Sequence, residues 1–177
     1  LPGWLQPGAA PRPRLLGGRV LPDEGVGALW MCLAMSPPET PYAGVGDLVA
    51  VCDPASLSAH AWGLFSLWLE SDGAAGSDWM MKALAHLGTD EHARALGRLI
   101  VKWPGQSAVK RAQVGLEVLA GMGSDAALLQ LFKITQRVRQ KSLRQRGDTL
   151  LNALAAQLEL SRAQLEDRLV PDLGLDA

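Results

Sequence analysis

The side chains with the clearest capacity for chemistry are three histidines, His60, His86 and His92. His86 and His92 stand on either side of a predicted helix break, and Asp90 and Glu91 lie between them. A zinc site needs three or four converging ligands, and this segment has no cysteine. We therefore interpret His86 and His92 as surface residues at helix ends, where a histidine near a helix C-terminus also complements the helix dipole. The sequence predicts no metal site.

Cys32 and Cys52 are the two cysteines of the chain. Two are too few for a disulfide framework, and their spacing matches no metal-binding motif. We interpret them as buried free thiols of a cytoplasmic protein, with a single Cys32–Cys52 disulfide as the open alternative. The chain contains no nucleophile elbow, phosphate-binding loop, dinucleotide fingerprint or zincin helix. These observations predict a protein that is not an enzyme and uses no cofactor.

The densest charge lies in a segment that we call the basic run, residues 133–146, KITQRVRQKSLRQR. No acidic residue lies between positions 126 and 147. The run contributes six cations: Lys133, Arg137, Arg139, Lys141, Arg144 and Arg146. Such a patch can neutralise several phosphates in a salt-dependent way, but the run has no aromatic side chain to stack on bases. A solvated or intramolecular docking surface is the first interpretation, and contact with nucleic acid or another polyanion is the second.

The bulk composition limits the class of protein. A chain of 177 residues with 48% hydrophobic and 20% charged residues is typical of a globular protein. Its net charge of −1 gives no overall attraction to nucleic acid or membranes. No apolar run is long enough for a transmembrane span, and the start, LPGWLQPGAAPRPR, has neither an initiator methionine nor an apolar signal core. We expect a fragment of a longer cytoplasmic protein that does not enter the membrane.

The chain after residue 22 has the pattern of helices. The lead, residues 1–22, contains five prolines and four glycines, and because proline fixes φ and lacks an N–H we expect an irregular segment there. Residues 23–177 carry apolar side chains at helical spacing, without the alternation typical of strands. One such stripe is Leu57, Ala61, Leu64, Phe65 and Trp68. We predict an all-α domain over residues 23–177.

Two segments share the same pattern 35 residues apart: LAHLGTD, residues 84–90, and LAGMGSD, residues 119–125. In both, a glycine can end one helix, and Ser or Thr followed by Asp can cap the next. A two-helix unit of this period is typical of an α-solenoid, in which neighbouring hairpins bury one another's apolar faces. The tetratricopeptide pattern is absent, so we favour HEAT-like stacked helical hairpins. A compact helical domain that is not a solenoid is the alternative.

The closing segment EDRLVPDLGLD, residues 166–176, resembles the end of the helical region in large bacterial MolR-like proteins, which carry a domain of unknown function. Further segments similar to that family are SPPETPYAGV, CDPASL, LGTDEHAR, WPG and GLEVLAGMGSDAALLQL. The resemblance covers residues 13–176. It implies a HEAT-like part of a long multidomain protein, associated with a WGR module in some members, and it supplies no catalytic residue.

Three functional hypotheses follow. The first is a non-catalytic helical scaffold that contacts a protein partner or adjacent domains of the same chain, since a solenoid offers an extended surface. The second is a polyanion- or nucleic-acid-binding module that uses the six cations of the basic run. The third is an accessory domain to an enzyme activity that lies in a missing C-terminal domain.

Overall fold

The computed structural model describes residues 2–169, and over this range the chain is helical with no strand. The predicted all-α class is therefore confirmed. The chain divides into two compact units, Leu1–His92 and Ala93–Ala177, which we call unit 1 and unit 2. The closing segment that resembles MolR-like proteins lies outside the described residues from position 170 onward.

Unit 1 contains five helices and the start of a sixth. They are α1 (Asp23–Ala34), α2 (Ala43–Val51), α3 (Pro54–Glu70), α4 (Trp79–Lys82), α5 (Leu84–Leu87) and the first turn of α6 (Asp90–Lys102). α1 packs on α2 and α4, and α3 packs on α4 and α5. α4 therefore packs against both α1 and α3, and the core of unit 1 lies among these helices.

The start and the buried face of α3 follow directly from its sequence. The Asp53 side chain accepts a hydrogen bond from the backbone N–H of Ser56 at 2.8 Å. Pro54 occupies the first turn, where its missing N–H has no helical partner to lose. The stripe predicted from the sequence is buried over its whole length: Leu57, Ala61, Leu64, Phe65 and Trp68. Burial of this apolar face fixes α3 against its neighbours.

The lead has no helix between residues 2 and 22, yet part of it is buried. Leu5, Ala10 and Leu21 are almost fully covered. Pro11 lies directly on Gly63 of α3, where a Cβ would collide with the proline ring. The lead is thus irregular, but these apolar side chains are buried and pack within unit 1.

Unit 2 contains the rest of α6 and four further helices. A 3₁₀ turn (Trp103–Gln106) follows α6, and then come α7 (Val109–Met122), α8 (Asp125–Arg137), α9 (Lys141–Gln157) and α10 (Arg162–Leu169). α7, α8 and α9 pack on one another, and α10 packs on α8 and α9.

The two similar segments differ in structure. At the second, Gly123 ends α7 with φ of 64°, and Ser124 caps α8 by accepting a hydrogen bond from the N–H of Ala127 at 3.3 Å. At the first, Gly88 is extended, with φ of −74° and ψ of 161°, and the helix before it has four residues. The helix break recurs but the hairpin does not, so the HEAT-like solenoid stays a prediction.

α8 and α9 approach each other closely at Gly147. A Cβ at this position would lie 3.0 Å from both Cβ and Cγ2 of Thr135, and nearer still to its Oγ1. Thr135 is buried, and its hydroxyl donates to the Leu131 carbonyl at 2.8 Å. The threonine cannot turn away without losing this hydrogen bond, so the close approach of the two helices requires glycine.

The substitution Gly147→Ala should destabilise unit 2. Overpacking a buried contact costs about 1–3 kcal/mol, which outweighs the gain of about 1 kcal/mol in helix propensity from Gly to Ala. Urea unfolding followed by circular dichroism measures the change. The control is Thr135→Ala, which removes Oγ1 and Cγ2 and leaves only Cβ, so Gly147→Ala should be less destabilising in that background. An equal effect of Gly147→Ala in both backgrounds would contradict this explanation.

Candidate functional site

A groove of about 490 Å³ lies in unit 2 between α6 and α8. Its apolar lining comes from both helices and from the residues that follow them: Gly97, Val101, Pro104, Ile134 and Val138. Val101 is 61% exposed, although the neighbouring apolar residues Leu96 and Ile100 of the same helix are fully buried. An exposed aliphatic side chain in a concave surface is typical of a binding site.

The polar lining of the groove is basic. It consists of four cations and two amides: Arg98, Lys133, Arg137, Arg139, Gln130 and Gln140. None of the described residues that line the groove is acidic. All four cations are exposed, and none of them forms an ion pair within residues 2–169. We call this site the cationic groove.

The helical period brings these side chains together. The α8 residues of the groove stand at i, i+3, i+4 and i+7, which is one face of a helix: Gln130, Lys133, Ile134 and Arg137. On α6, Gly97 and Val101 stand one turn apart. A Cβ at Gly97 would lie 2.8 Å from Oε1 of Gln130. The missing side chain at position 97 therefore lets the Gln130 side chain lie against α6.

The structure divides the six cations of the basic run. Lys133, Arg137 and Arg139 line the cationic groove. Lys141 and Arg144 are exposed in α9 and do not line it. Their role in binding a polyanion stays a prediction.

Arg146 and Arg144 make contacts within unit 2. The Nε and Nη2 atoms of Arg146 donate to Oε1 of Glu117 at 3.0 and 2.7 Å, an ion pair that joins α9 to α7. Nη2 of Arg144 donates to the Val138 carbonyl at 2.9 Å, just after the end of α8. The basic run is therefore not one continuous surface, because these two arginines hold neighbouring segments together.

The basic run does not predict the residues that α6 contributes to the groove. Arg98 and Val101 belong to a different helix, and only the packing of α6 beside α8 brings them to the groove. One signal for them exists in the sequence. Val101 is an apolar residue next to the helical stripe of Leu96 and Ile100, so it extends the apolar face beyond what the core covers.

His60 is buried, and both of its ring nitrogens have partners. Its Nε2 accepts from the Nε1–H of Trp30 at 2.8 Å, and its Nδ1 donates to the Pro11 carbonyl at 2.6 Å. Because a carbonyl can only accept, His60 carries its proton on Nδ1. Burial lowers the pKa of His60, the hydrogen bond to Pro11 opposes this shift, and the charge of Arg12 adds to it. A neutral His60 thus links the lead, α1 and α3.

His86 and His92 lie at helix ends as predicted, and both are half-buried rather than fully exposed. Nε2 of His86 donates to the Pro37 carbonyl at 3.0 Å. The His92 ring stacks on Trp62 with their centroids 4.7 Å apart. Burial lowers the pKa of both histidines. Within the part of the chain that the structure describes, no three His, Cys, Asp or Glu side chains converge as a metal site would require.

Cys32 and Cys52 are free thiols. Cys52 is buried, and burial raises the pKa of its thiol. Cys32 lies against Gly44 of α2, where a Cβ would come 2.9 Å from its Sγ. Because a thiol with a raised pKa is a weak nucleophile at neutral pH, Cys52 contributes to packing.

The free energy of unfolding of unit 1 should decrease as the pH is lowered. An unfolded histidine titrates at about pH 6.5, and burial holds the pKa of His60 lower in the folded protein. Below about pH 6.5 the unfolded chain therefore binds protons that the folded chain cannot, and folding loses stability. Tryptophan fluorescence suits the urea titration, since five of the six tryptophans lie in unit 1.

The matched variant for this prediction is His60→Gln, which cannot take up a proton. Its urea midpoint should change less between about pH 7.5 and about pH 5 than that of the parent chain. His86 and His92 remain titratable in both proteins and supply the common background. An identical pH dependence in the two proteins would show that His60 makes no contribution.

The chain is similar to a bacterial protein of much greater length. It is 34% identical over 176 residues to a protein of Escherichia coli (strain K12) described as uncharacterized protein YehI. The match covers 99% of this chain and 14% of that relative, so the chain spans about one seventh of its length. No protein-family profile and no solved structure matches the chain. Over residues 2–169, no helix combines the length and the apolar character needed to cross a bilayer.

Proposed function

We propose that this chain is a non-catalytic helical scaffold that binds a protein segment in the cationic groove. The observation that carries this proposal is the exposed aliphatic side chain of Val101 within a concave surface of about 490 Å³. Removing apolar surface from water is favourable by about 25 cal/mol per Å². Binding of a partner that covers Val101 would therefore be favoured, because it removes this side chain from water.

The rigidity of the groove supports this function. The segment that carries Val101 and Pro104 packs on α7 at Gly115. The contacting residues are Ile100 and Trp103, which directly precede those two in the sequence. A Cβ at Gly115 would lie 2.7 Å from Cγ1 of Ile100 and 3.2 Å from Cζ3 of Trp103. Packed helices thus position the α6 and α8 residues of the lining, and Val138, Arg139 and Gln140 lie in the short connection between α8 and α9. A preorganised surface loses little conformational freedom on binding, which favours affinity.

The length of the relative supports a partner within the same polypeptide. The chain corresponds to 14% of the YehI protein, and a polypeptide of that kind has many other segments that could occupy the groove. We propose that the chain is a HEAT-like part of a larger bacterial cytoplasmic protein, as the resemblance to MolR-like proteins implies. The partner is then an adjacent domain of that protein or a second protein.

A photo-reactive amino acid at position 101 tests the proposal. In the complete polypeptide within cells, light should cross-link position 101 to a defined protein segment, because the partner covers this side chain. Mass spectrometry of the cross-linked peptides identifies that segment. The matched control is position 157, Gln157, which is exposed on α9 outside the groove. Equal, scattered cross-linking from both positions would contradict a docking function for the groove.

Binding of nucleic acid is the second candidate, and it is favoured by the exposure of five of the six cations in the basic run: Lys133, Arg137, Arg139, Lys141 and Arg144. It predicts an affinity for DNA or RNA that falls steeply with salt. Fluorescence anisotropy at low and high salt measures it. The triple substitution Arg137→Glu, Arg139→Glu and Arg144→Glu should then abolish binding. An absence of salt-sensitive binding at tens of micromolar, roughly the non-specific range, would exclude this candidate.

A further inference from the structure

We propose that the cationic groove binds an acidic amphipathic peptide segment, in which carboxylates stand beside aliphatic or aromatic side chains. This inference rests on the proposed function and adds the chemistry of the partner. Its basis is the juxtaposition, in one concave surface, of the exposed Val101 side chain and four cations, without an acidic residue among the described lining.

The negative charge that we expect of the partner follows from charge complementarity. Two other arginines of unit 2 have carboxylate partners within the unit: Arg146 pairs with Glu117 at 2.7 Å, and Arg162 with Glu166 at 2.5 Å. The groove cations have no such partner within residues 2–169. Charge-assisted hydrogen bonds from arginine to carboxylate are among the strong ones in proteins. The groove therefore offers this interaction to a ligand.

Capping of α8 does not account for these cations. The Ile134 carbonyl in the last turn accepts the N–H of Val138 at 2.9 Å. The Val138 carbonyl accepts from Arg144, also at 2.9 Å. Arg144 thus serves the end of the helix, and Arg137 and Arg139 make no hydrogen bond to these carbonyls.

The apolar lining favours a peptide over nucleic acid. No aromatic residue is among the described lining, and Trp103, which is close in sequence, is 3% exposed. Single-stranded nucleic acids rely on stacking with aromatic side chains, and phosphate contacts alone would leave the exposed Val101 and the partly exposed Val138 uncovered. Apolar side chains of a peptide can cover these residues while its carboxylates reach the cations.

The length of the groove suits two turns of a helix. From Gln130 to Arg137 the lining runs about 10 Å along α8 at 1.5 Å per residue. Anchors at i and i+3 or i+4 of an amphipathic helix fit such a span. The cations stand on α6, on α8 and after α8, so they can meet several carboxylates of a peptide at separate points.

A peptide-display selection tests the chemistry of the partner. A random-peptide library is selected on the full chain and counter-selected on the Val101→Asp variant, which places a carboxylate in the groove. We expect enriched peptides with net negative charge and with leucine, isoleucine, phenylalanine or similar residues at helical spacing. Enrichment of neutral or basic peptides, or no enrichment, would overturn the proposal.

The most enriched peptide then serves as a fluorescent probe for anisotropy. The double variant Lys133→Glu and Arg137→Glu should weaken its binding at least about tenfold. The matched double variant Arg19→Glu and Lys110→Glu changes the net charge equally, at exposed positions outside the groove, and should leave the affinity nearly unchanged. Circular dichroism checks that each variant keeps its helical content. If both double variants weaken the binding of the peptide equally, the groove is not the binding site.

A thymidine oligonucleotide as competitor decides between the two classes of ligand. The peptide should persist at oligonucleotide concentrations well above its own dissociation constant. Displacement of the peptide at equal concentration would overturn the proposal in favour of nucleic acid. If the display selection fails while position 101 still cross-links to a defined protein segment, the proposed function holds and only the acidic chemistry of the partner is wrong.

Discussion

Gly115 and Gly147 each lie where a neighbouring helix leaves no room for a methyl group, and Gly97 lies against the flexible end of a side chain. Gly147 meets Thr135, Gly115 meets Ile100, and Gly97 meets the Gln130 side chain. Close approach of this kind fixes the axis of each helix, because packed interiors tolerate little added volume. The cationic groove depends on it, since the close approach at Gly115 holds α6 against α7 and the close approach at Gly147 holds α8 against α9.

The sequence predicted those features that depend on local chemistry. The stripe of α3, its proline in the first turn, and the Gly123–Ser124 break between α7 and α8 follow from periodicity and capping. At LAHLGTD the glycine also follows the end of a helix, and the Thr89 hydroxyl accepts the N–H of His92 at 3.4 Å at the start of α6, but Gly88 is extended and the helix before it is short. Two similar strings therefore share a helix break without sharing a hairpin, since the length of a helix depends on what its apolar face can pack against.

Features that depend on distant residues could not be predicted. His60 is bonded to Pro11 and Trp30, which lie in other segments of unit 1. No rule of spacing joins a histidine in the middle of α3 to a carbonyl in a proline-rich lead. The same holds for the α6 side of the groove, since Arg98 and Val101 acquire their role only through the packing of α6 beside α8. The buried lead shows the effect most plainly, because its composition is that of a surface segment.

A run of cations in a sequence gives no information on which of them are free. Arg146 has the same side chain as Arg137, yet it holds α9 to α7 through Glu117. Burying part of an ion pair stabilises a fold only when the partner is in place, so a paired arginine is part of the structure and is withdrawn from binding. An exposed arginine without a carboxylate neighbour gives up no ion pair of the fold when it binds a carboxylate of a partner. The contrast between paired and unpaired cations in unit 2, together with the apolar side chains beside the unpaired ones, therefore marks the surface at which a partner would gain the most.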